Sequence, residues 1–510
     1  MHILITGATS GLGLEMARIY QQKGASLVLV GRQPLAQLDP TLFTPTTYCR
    51  ADLGDPEAAE QIATWLAAQG IQTLDLLIHN AAVGYYGRPA DQPTGHLLQM
   101  VQVNLTTPIA LTHALLPLLT AAQGKIVFVS SVASALPTAD YATYTATKAA
   151  LDGFARSVRL ELAQAGVRVQ TLHPGAANTG MHAKIGIPPT QMDWNRFPTA
   201  EATASQMVRI IQRTDKGNVA IGLGNKVLRQ VGLLGGTPLE WAMRRGGRTM
   251  PPSTPTSPAH AVITGVAEGI GRALALRLSQ AGYRITGIDV NVGGAVETQA
   301  AVRQQGGEMA ILPADLANPA DIARVVQTLA EGPRPTLLVH NAGISAAGHF
   351  ARLPIAAQLK VVAVNFSAPL LLTTGLLAAG VVDGQTQVVL ISSLSHYVGY
   401  PGAAVYAATK DGLASYGRSL ATAVPRPRLL TVYPGPTRTA HARRYSPDNS
   451  REQTRMAPEM VAEQVVAAVQ SGRRRLLPGT AAKLFALLGT LAPTLMGHAM
   501  KRAILDKFGE

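Results

Sequence analysis

An internal repeat constrains the fold of this chain more than any other sequence feature. The run ITGATSGLG that begins at Ile5 returns as ITGVAEGIG at Ile263, about 260 residues later. Four shorter motifs recur in the same order at nearly the same offset: ADL at 51 and 314, HNA at 79 and 340, Tyr-x-x-x-Lys at 144 and 406, and Pro-Gly at 174 and 434. Solenoid repeats are only 20–45 residues long, so this repeat indicates a duplicated domain.

The segment between the two copies divides the chain. Residues 250–258 are rich in Pro, Ser and Thr, a composition typical of an extended, semi-rigid linker. The sequence therefore predicts a first domain over residues 1–249 and a second over residues 259–479. A C-terminal amphipathic helical tail is predicted over residues 480–510.

The alternation of patterns within each copy predicts the fold class. Short apolar runs alternate with stretches of helical spacing, which indicates βαβ units. We therefore expect an α/β protein with two doubly wound Rossmann-type domains, each built on a parallel sheet. Each half also ends in an apolar stretch flanked by basic residues, 226–245 and 483–501, which predicts a C-terminal helical extension.

A Thr-Gly-x-x-x-Gly-x-Gly turn follows the first predicted strand of each half. Glycines let the backbone approach a pyrophosphate, and the next helix offers free N–H groups and a positive dipole end. One such turn could be a tight strand-to-helix connection, but two in the same context favour a dinucleotide site. The residues expected at the cofactor are Gly7, Ser10, Gly11, Leu12 and Gly13 in the first half, and Gly265, Gly269, Ile270 and Gly271 in the second.

The residue at the end of the second strand predicts which cofactor each half prefers. Arg32 stands there in the first half, and a guanidinium can pair with a 2′-phosphate, which favours NADP(H). Asp289 stands there in the second half, and a carboxylate can bind the ribose hydroxyls, which favours NAD(H). Glu268 would add to the repulsion of a phosphate. The alternative is that Arg32 is a solvated surface residue and Asp289 caps the next turn.

A tyrosine and a lysine lie one helical turn apart in each half, as Tyr144 with Lys148 and Tyr406 with Lys410. A nearby ammonium lowers the pKa of a phenol and so prepares it for acid–base work. A serine stands 13 residues before each tyrosine, at Ser131 and Ser393, where it could hold a substrate oxygen. We expect no metal site.

Together these motifs resemble those of the short-chain dehydrogenase/reductase family, and the resemblance covers nearly all of each half. It implies that the tyrosine exchanges the proton, the lysine binds the nicotinamide ribose and the serine orients the substrate. It further implies a proton-relay role for Asn104 and Asn365. The other cofactor contacts that it implies are Asp52, Leu53, Asn80, Pro174, Gly175 and Thr179, with Asp315, Leu316, Asn341, Pro434, Gly435 and Thr439 as their counterparts.

The sequence departs from the family pattern at a few positions. His79 and His340 stand where the family often has Asn, and Ala82 replaces a Gly that the second half keeps as Gly343. Val266 is bulkier than the residue usual after the first glycine. None of these changes removes a group that the chemistry needs. We expect both histidines to face the core and to bond a backbone carbonyl.

The resemblance implies a bifunctional NAD(P)-dependent oxidoreductase acting on a carbonyl or alcohol carbon. Two versions remain open: coupled oxidation and reduction, as in an epimerisation, or two ketoreductions of a lipid-like or natural-product intermediate. The alternative is one catalytic half, with the other a pseudo-enzyme that serves as internal dimer partner or substrate platform. The predicted substrate lids differ, one apolar and one basic: Met181, Ile185, Ile187, Met192, Trp194 and Phe197, against Arg438, Arg443, Arg444 and Tyr445.

Charge and composition predict the partners and the location. The formal net charge is +14, which suits a nucleotide, an acyl substrate linked to a carrier, or an anionic membrane surface. No basic stripe interleaved with aromatics indicates nucleic acid. Cys49 is the single cysteine, and no apolar run of membrane-spanning length stands out. Because the first strand-like run begins at His2, we expect no secretory signal. We expect a cytoplasmic protein whose halves pair within the chain, with its tails either touching a membrane or packing on the protein.

Overall fold

The computed structural model describes residues 1–187, 193–234, 239, 242, 259–423 and 427–509. The predicted linker over residues 250–258 lies outside the described residues. So do Met192 of the first predicted lid and most of the first apolar extension beyond residue 234.

Each half forms one seven-stranded sheet in which every pairing is parallel. The first sheet contains β1 (His2–Thr6), β2 (Ser26–Gly31), β3 (Tyr48–Arg50), β4 (Leu76–His79), β5 (Lys125–Val129), β6 (Arg168–His173) and β7 (Asn218–Ala220). The second contains β8 (His260–Thr264), β9 (Arg284–Asp289), β10 (Met309–Pro313), β11 (Leu337–His340), β12 (Gln387–Ile391), β13 (Arg428–Val432) and β14 (Arg475–Leu476). The strand order is β3-β2-β1-β4-β5-β6-β7, repeated by β10-β9-β8-β11-β12-β13-β14. This confirms two doubly wound α/β sheets, each with its switch point beside the first strand.

Helices cover both faces of each sheet. Those of the first half are α1 (Gly11–Gln22), α2 (Ala58–Ala68), α3 (Thr94–Val101), α4 (Thr107–Ala121), α5 (Ala142–Leu162), α6 (Met181–Lys184), α7 (Ala200–Arg213) and α8 (Leu223–Leu234). Those of the second half are α9 (Gly269–Gln280), α10 (Val292–Gln304), α11 (Pro319–Glu331), α12 (Ile355–Val362), α13 (Ala368–Ala378), α14 (Ser395–Val398), α15 (Ala404–Leu420), α16 (Ala440–Tyr445) and α17 (Pro458–Gln470). The C-terminal extension forms α18 (Thr480–Leu491) and α19 (Pro493–Ala503).

The two halves share one apolar core, because helix α5 packs closely against helix α15. Gly412 makes the close approach: a Cβ there would lie 2.9 Å from the Cβ of Ala150 and 3.0 Å from the carbonyl oxygen of Ala146. Polar bonds also cross the contact, such as Thr145 Oγ1 to Ser419 Oγ at 3.0 Å. The halves are therefore joined by more than the linker.

Two composite helices, Thr94–Ala121 and Ile355–Ala378, are long and apolar enough to cross a membrane by length and composition. Sequence reading missed them, because each is assembled from α3 with α4, or α12 with α13, through a π-helical turn. Their most apolar windows are 72% and 78% buried inside the protein. Core helices of globular proteins are buried in this way, so the length and apolarity of these two helices are weak evidence for a membrane span.

Candidate active sites

Both predicted catalytic sets lie at the carboxyl edge of their sheet. Ser131 follows β5, while Tyr144 and Lys148 lie one turn apart on α5. Ser393 follows β12, and α15 carries Tyr406 and Lys410. In a doubly wound sheet this edge is where ligands bind.

Each tyrosine lies between its serine and its lysine. Tyr144 forms a side-chain hydrogen bond with Ser131, and Tyr406 forms the same bond with Ser393. The ammonium nitrogen of Lys148 lies 5.9 Å from the Tyr144 ring centroid, and that of Lys410 lies 5.6 Å from the Tyr406 ring centroid. The structure therefore brings all three predicted groups together in both halves.

Backbone contacts fix the serine and the lysine. Ser131 Oγ accepts a hydrogen bond from the backbone N–H of Ala133 at 3.1 Å, and Ser393 Oγ accepts one from Ser395 at 3.1 Å. With one lone pair engaged, the hydroxyl proton is free to be donated toward the tyrosine or a substrate oxygen. Lys148 donates to the carbonyl of Val129 at 2.9 Å, as Lys410 does to Ile391.

The two predicted relay asparagines occupy π-helical turns, Gln102–Thr106 and Ala363–Ser367. Such turns insert one residue into a helix and often mark functional positions. The side chain of Asn104 accepts from the N–H of Val83 and donates to its carbonyl, both at 2.9 Å. Asn365 makes the matching pair of bonds to Ile344 at 2.8 Å. Both asparagines are buried and held in a single orientation.

Burial dominates the electrostatics of both sites. It raises the pKa of Tyr144 and of Tyr406 to about 12, although the bond to the serine acts in the opposite direction. It lowers the pKa of Lys148 and Lys410 to about 8. Both phenols therefore keep their protons at neutral pH even with a lysine nearby, and further positive charge beside them would favour the phenolate.

The glycine turns form cradles that fit a dinucleotide. Gly7 and Gly265 have φ of +66° and +74°, and a Cβ at either would lie 2.8 Å from the Cα of the alanine opposite. The asparagine before that alanine braces the turn: Asn80 donates to the carbonyl of Thr6 at 3.0 Å, and Asn341 donates to that of Thr264 at 3.0 Å. Gly13 and Gly271 pack beneath the turn, where a Cβ would collide with the carbonyl of the first glycine.

The first turn of each following helix has no side-chain cap. Ser10 precedes α1 and Glu268 precedes α9, and neither makes a capping hydrogen bond. Leu12 and Ile270 lie in those first turns. The N–H groups there are thus available to an anion, as a pyrophosphate site requires. The residues present fit a nicotinamide dinucleotide in both halves.

The predicted selectivity residues follow the second strand of each sheet. Arg32 lies just past β2 and is exposed. Asp289 ends β9, and its two oxygens accept from the N–H groups of Ala267 at 2.8 Å and Asn291 at 2.9 Å. These bonds cap a turn, which is the alternative role given above for Asp289. They also hold its carboxylate at the wall of the cavity described next.

A cavity of about 750 Å³ occupies this edge of the second half. It is lined by most of the predicted residues of that half: Gly265, Gly269, Ile270, Asp289, Asp315, Leu316, Asn341, Ser393, Tyr406, Lys410, Pro434, Gly435 and Thr439. Gly271 and Asn365 are buried and do not line it. The glycine turn and the Tyr406 phenol therefore line one continuous space.

In the first half, the corresponding predicted contacts surround the same edge. Asp52 follows β3 and is exposed, with its carboxylate accepting from the N–H of Gly54 at 2.9 Å, and Leu53 is buried behind it. Pro174 and Gly175 follow β6, and the carbonyl of Pro174 accepts from the residue after Ser131 at 3.1 Å. A Cβ on Gly11 would lie 3.7 Å from the side chain of Thr179, so that threonine closes over the glycine turn.

The substrate side differs between the halves. A Cβ on Gly84 would touch Met181, Ile185 and Tyr144, so the first predicted lid closes against its tyrosine. Ile187 is buried, whereas the rings of Trp194 and Phe197 are tilted by 39° against each other with their centroids 5.5 Å apart. In the second lid Arg444 and Tyr445 line the cavity, but Arg438 and Arg443 instead bond Gln453 and Glu452.

Sequence reasoning missed part of the second cavity wall. Phe485, Met500 and Ile504 of the C-terminal extension line it. His441 lies beside Tyr406, ring centroids 6.2 Å apart, and burial lowers the pKa of its imidazole to about 4. The only available signal for His441 was its position two residues after Thr439.

A buried polar network beside Lys148 was also missed. Asp152, one turn further along α5, accepts from Ser134 at 2.7 Å and contacts His173 at 3.1 Å and Arg229 of α8 at 3.5 Å. These partners hold the pKa of Asp152 well below its usual range, although burial acts in the opposite direction. Its charge favours the protonated form of Lys148. The second half has Ala414 at the matching position, so this network distinguishes the halves.

The histidines that depart from the family pattern are buried in the core, as expected, but their bonding partner differs from the prediction. His79 Nε2 bonds Thr112 Oγ1 at 3.0 Å and His340 Nε2 bonds Thr373 Oγ1 at 2.8 Å, where a backbone carbonyl was predicted. Burial lowers the pKa of both imidazoles to about 3, so both stay neutral. Within the described parts of the chain, no group of three His, Cys, Asp or Glu side chains is arranged to hold a metal.

The loop between each serine and its tyrosine is held by the other half. Ser157 accepts from the N–H of Tyr400 at 3.2 Å, and Ser419 accepts from that of Thr138 at 3.3 Å. Arg156 donates to the carbonyl of His396 at 3.0 Å, and Arg418 donates to that of Ala135 at 3.4 Å. We call these four bonds the reciprocal clamp.

Comparison with known proteins agrees with this geometry. The sequence model of the short chain dehydrogenase family matches residues 1–188 and 259–450. Dehydrogenase/reductase SDR family member 7B of Mus musculus is 30% identical over 214 residues, which cover 40% of this chain and 65% of that protein, less than two thirds of its length. Serine 3-dehydrogenase of Rhizobium radiobacter is 34% identical over 180 residues, or 35% of this chain and 72% of that protein.

One solved structure resembles almost the whole chain. An N-terminal ketoreductase from the macrolactin assembly line aligns with 93% of this chain and 85% of its own, with a TM-score of 0.58. The two sequences are only 13% identical, so the likeness is one of fold.

Proposed function

This chain belongs to the short chain dehydrogenase family. From that premise we propose that it is an NAD(P)-dependent oxidoreductase and that both of its halves are catalytic. Each would act at its own Ser-Tyr-Lys set on a carbonyl or alcohol carbon. The observation that carries the proposal is the duplicated geometry, in which each tyrosine bonds its serine and lies within 6 Å of its lysine nitrogen.

The proposed roles follow from the contacts. The bound nicotinamide supplies or accepts the hydride. Ser131 and Ser393 hold the substrate oxygen by donating their free hydroxyl proton to it. Tyr144 and Tyr406 give a proton to that oxygen in reduction, or take one in oxidation, at the phenolic oxygen. The lysine ammonium lowers the phenol pKa and orients the ribose. Asn104 and Asn365, each fixed by its backbone bonds, hold a water in the relay that returns the proton.

We further propose NADP(H) for the first half and NAD(H) for the second. Arg32 is exposed where a 2′-phosphate would lie, and a guanidinium can bind it in bidentate fashion. Asp289 and Glu268 would repel a phosphate, while the fixed oxygens of Asp289 can accept from ribose hydroxyls. With opposite cofactors, one half could oxidise an alcohol that the other forms, so that a carbinol centre is epimerised. Two successive ketoreductions are the plainer version of the same proposal.

Single substitutions of each tyrosine test the two-site proposal. Tyr406→Phe should lower NAD(H)-dependent turnover by about 10²–10⁴-fold and leave NADP(H)-dependent turnover intact, and Tyr144→Phe should do the reverse. Tyr416→Phe on the same helix as Tyr406, and Tyr20→Phe in the first half, are matched controls because both phenols are buried away from the predicted sites. Nucleotide titration should give two bound cofactors per chain. A single bound nucleotide, or one variant that abolishes turnover with both cofactors, would favour the pseudo-enzyme alternative.

A further inference from the structure

The exposed apolar side chains of this protein are concentrated in the helices that follow the last strand of each sheet. Among the described residues, 16 large hydrophobic side chains are exposed; five lie in α8 and six in α18 and the start of α19. The six are Leu484, Phe485, Leu487, Leu488, Leu491 and Leu495, and we call them the C-terminal apolar face. Leu491 and Leu495 are 71% and 72% exposed.

Helix α18 buries its small residues and exposes its large apolar ones, which is the reverse of an ordinary surface helix. Its buried positions are the small residues Ala482, Ala486 and Gly489, and a Cβ on Gly489 would collide with the carbonyl of Tyr397. A surface helix normally turns its large apolar residues toward the core. Here they point outward, and small residues allow the helix to lie close against the protein. Helix α8 repeats the arrangement, with Gly232 packed on Ala135 and Val227 and Val231 exposed.

The charge around the C-terminal apolar face indicates what covers it. Residues 480–505 contain Lys483, Lys501 and Arg502 and no acidic residue. Lys483 and Arg502 are exposed, and the whole chain carries a net charge of +14. A two-fold contact between copies of this chain would place these cations against themselves. Anionic lipid headgroups would instead attract them, while the leucines enter the acyl region.

The same face adjoins the second cavity. Phe485 belongs to the C-terminal apolar face, at 44% exposure, and also lines the cavity wall. Met500 and Ile504 of the same extension continue that wall. The apolar surface therefore runs from the outside of α18 to the space that contains Tyr406.

We propose that the C-terminal apolar face is a peripheral docking surface for an anionic lipid bilayer. Helix α18 lies in the plane of the interface with its leucines inserted, and Lys483 and Arg502 reach the headgroups. The second cavity then opens next to the bilayer. This docking requires only the surface and its charge, and it holds whichever half is catalytic.

Vesicle co-sedimentation of the full-length chain tests the proposal. The vesicles are phosphatidylcholine alone, or phosphatidylcholine with about one third phosphatidylserine. The unaltered chain should bind the anionic vesicles at least tenfold more tightly than the neutral ones. The triple variant Leu484→Ser, Leu488→Ser, Leu491→Ser should lose at least tenfold in binding. The double variant Lys483→Gln, Arg502→Gln should lose the preference for anionic lipid.

A control variant separates the face from general hydrophobicity. Val292→Ser with Val296→Ser removes two exposed apolar side chains on α10, outside the face, and should bind vesicles like the unaltered chain. All replaced residues are exposed, so the variants should fold; circular dichroism and nucleotide titration check this. Unchanged binding of the leucine triple variant overturns the proposal. So does a chain that ignores vesicles and self-associates through the same leucines.

Discussion

The contact between the two halves can be tested at one buried ion pair. Arg156 of the first half lies 2.6 Å from Asp411 of the second, and their side chains are 32% and 6% exposed. Asp411 also bonds His396 Nδ1 at 2.9 Å, so it keeps one partner if the arginine is removed. Stranding a fully buried charge costs about 3–5 kcal/mol. Because one partner remains and Arg156 is partly exposed, we expect Arg156→Met to cost about 2–3 kcal/mol.

A second ion pair provides a control at the same distance. Arg88 and Asp91 are also 2.6 Å apart, but their side chains are 58% and 49% exposed. Exposed pairs contribute about 0.2–1 kcal/mol, because water screens the charges. The two pairs share a separation and differ in burial. Arg156 also donates to the carbonyls of Ser395 and His396, and the double-mutant cycle subtracts the loss of those bonds from the coupling. A double-mutant cycle should give a coupling above about 1.5 kcal/mol for Arg156 with Asp411, and less than half of that for Arg88 with Asp91.

The assay is denaturant unfolding of Arg156→Met, Asp411→Ala and the double variant, followed by circular dichroism and tryptophan fluorescence. The same three variants are made at Arg88 and Asp91. Coincident transitions with both probes are expected, since one core joins the halves. Equal coupling in the two cycles would refute the argument from burial. Separate transitions for the two halves would show that the shared core does not unite them in unfolding.

Three further outcomes are expected. Burial raises the pKa of Glu161 to about 7, so its protonated form stabilises the fold at low pH. The free energy of unfolding should therefore fall by up to ~3 kcal/mol as the pH rises from 4.5 to 7. Glu161→Gln should flatten this pH dependence of stability. Burial lowers the pKa of Lys410 to about 8, so its charge at pH 7 destabilises the fold. Lys410→Met should abolish second-half turnover, and it should leave the free energy of unfolding unchanged or raise it by up to ~1–2 kcal/mol. A loss of stability in thermal unfolding would contradict this. Arg32→Ala should raise the KM for NADP(H) about 10–100-fold, and Asp289→Ala should raise the KM for NAD(H) by a similar factor. Both KM values are measured by steady-state kinetics. Unchanged KM values would show that these residues do not select the cofactor.

The sequence was most informative where local pattern and chemistry coincide. The glycine turn, the Asn-Ala pair and the Tyr-x-x-x-Lys pair each depend on a few neighbouring residues, and the helix or strand around them fixes their geometry. Because every such motif occurs twice in the same order, the two parallel sheets and both candidate sites could be predicted together. The parallel strand order confirmed the two sheets.

Contacts between distant segments could not be read in the same way. Nothing in the repeat indicates that Phe485 and Ile504 close the cavity around Tyr406, because they lie about 80–100 residues away and outside every motif. The network of Asp152 with His173 and Arg229 joins three elements, and each residue alone looks like an ordinary polar residue. The threonine partners of His79 and His340 come from neighbouring helices, so the sequence offered only the generic expectation of a carbonyl.

The reciprocal clamp gives a physical reason for the two halves to remain in one chain. The bonds from Ser157 and Ser419 fix backbone N–H groups in the loops that connect each predicted serine to its tyrosine. Both bonds are part-buried, and an N–H that loses its partner away from water is costly. Each half therefore completes the loop beside the other half's site. Fusion supplies the partner at a fixed ratio and high effective concentration. The two candidate sites can therefore differ in lid residues and in the predicted cofactor residues while α5 and α15 keep their mutual fit.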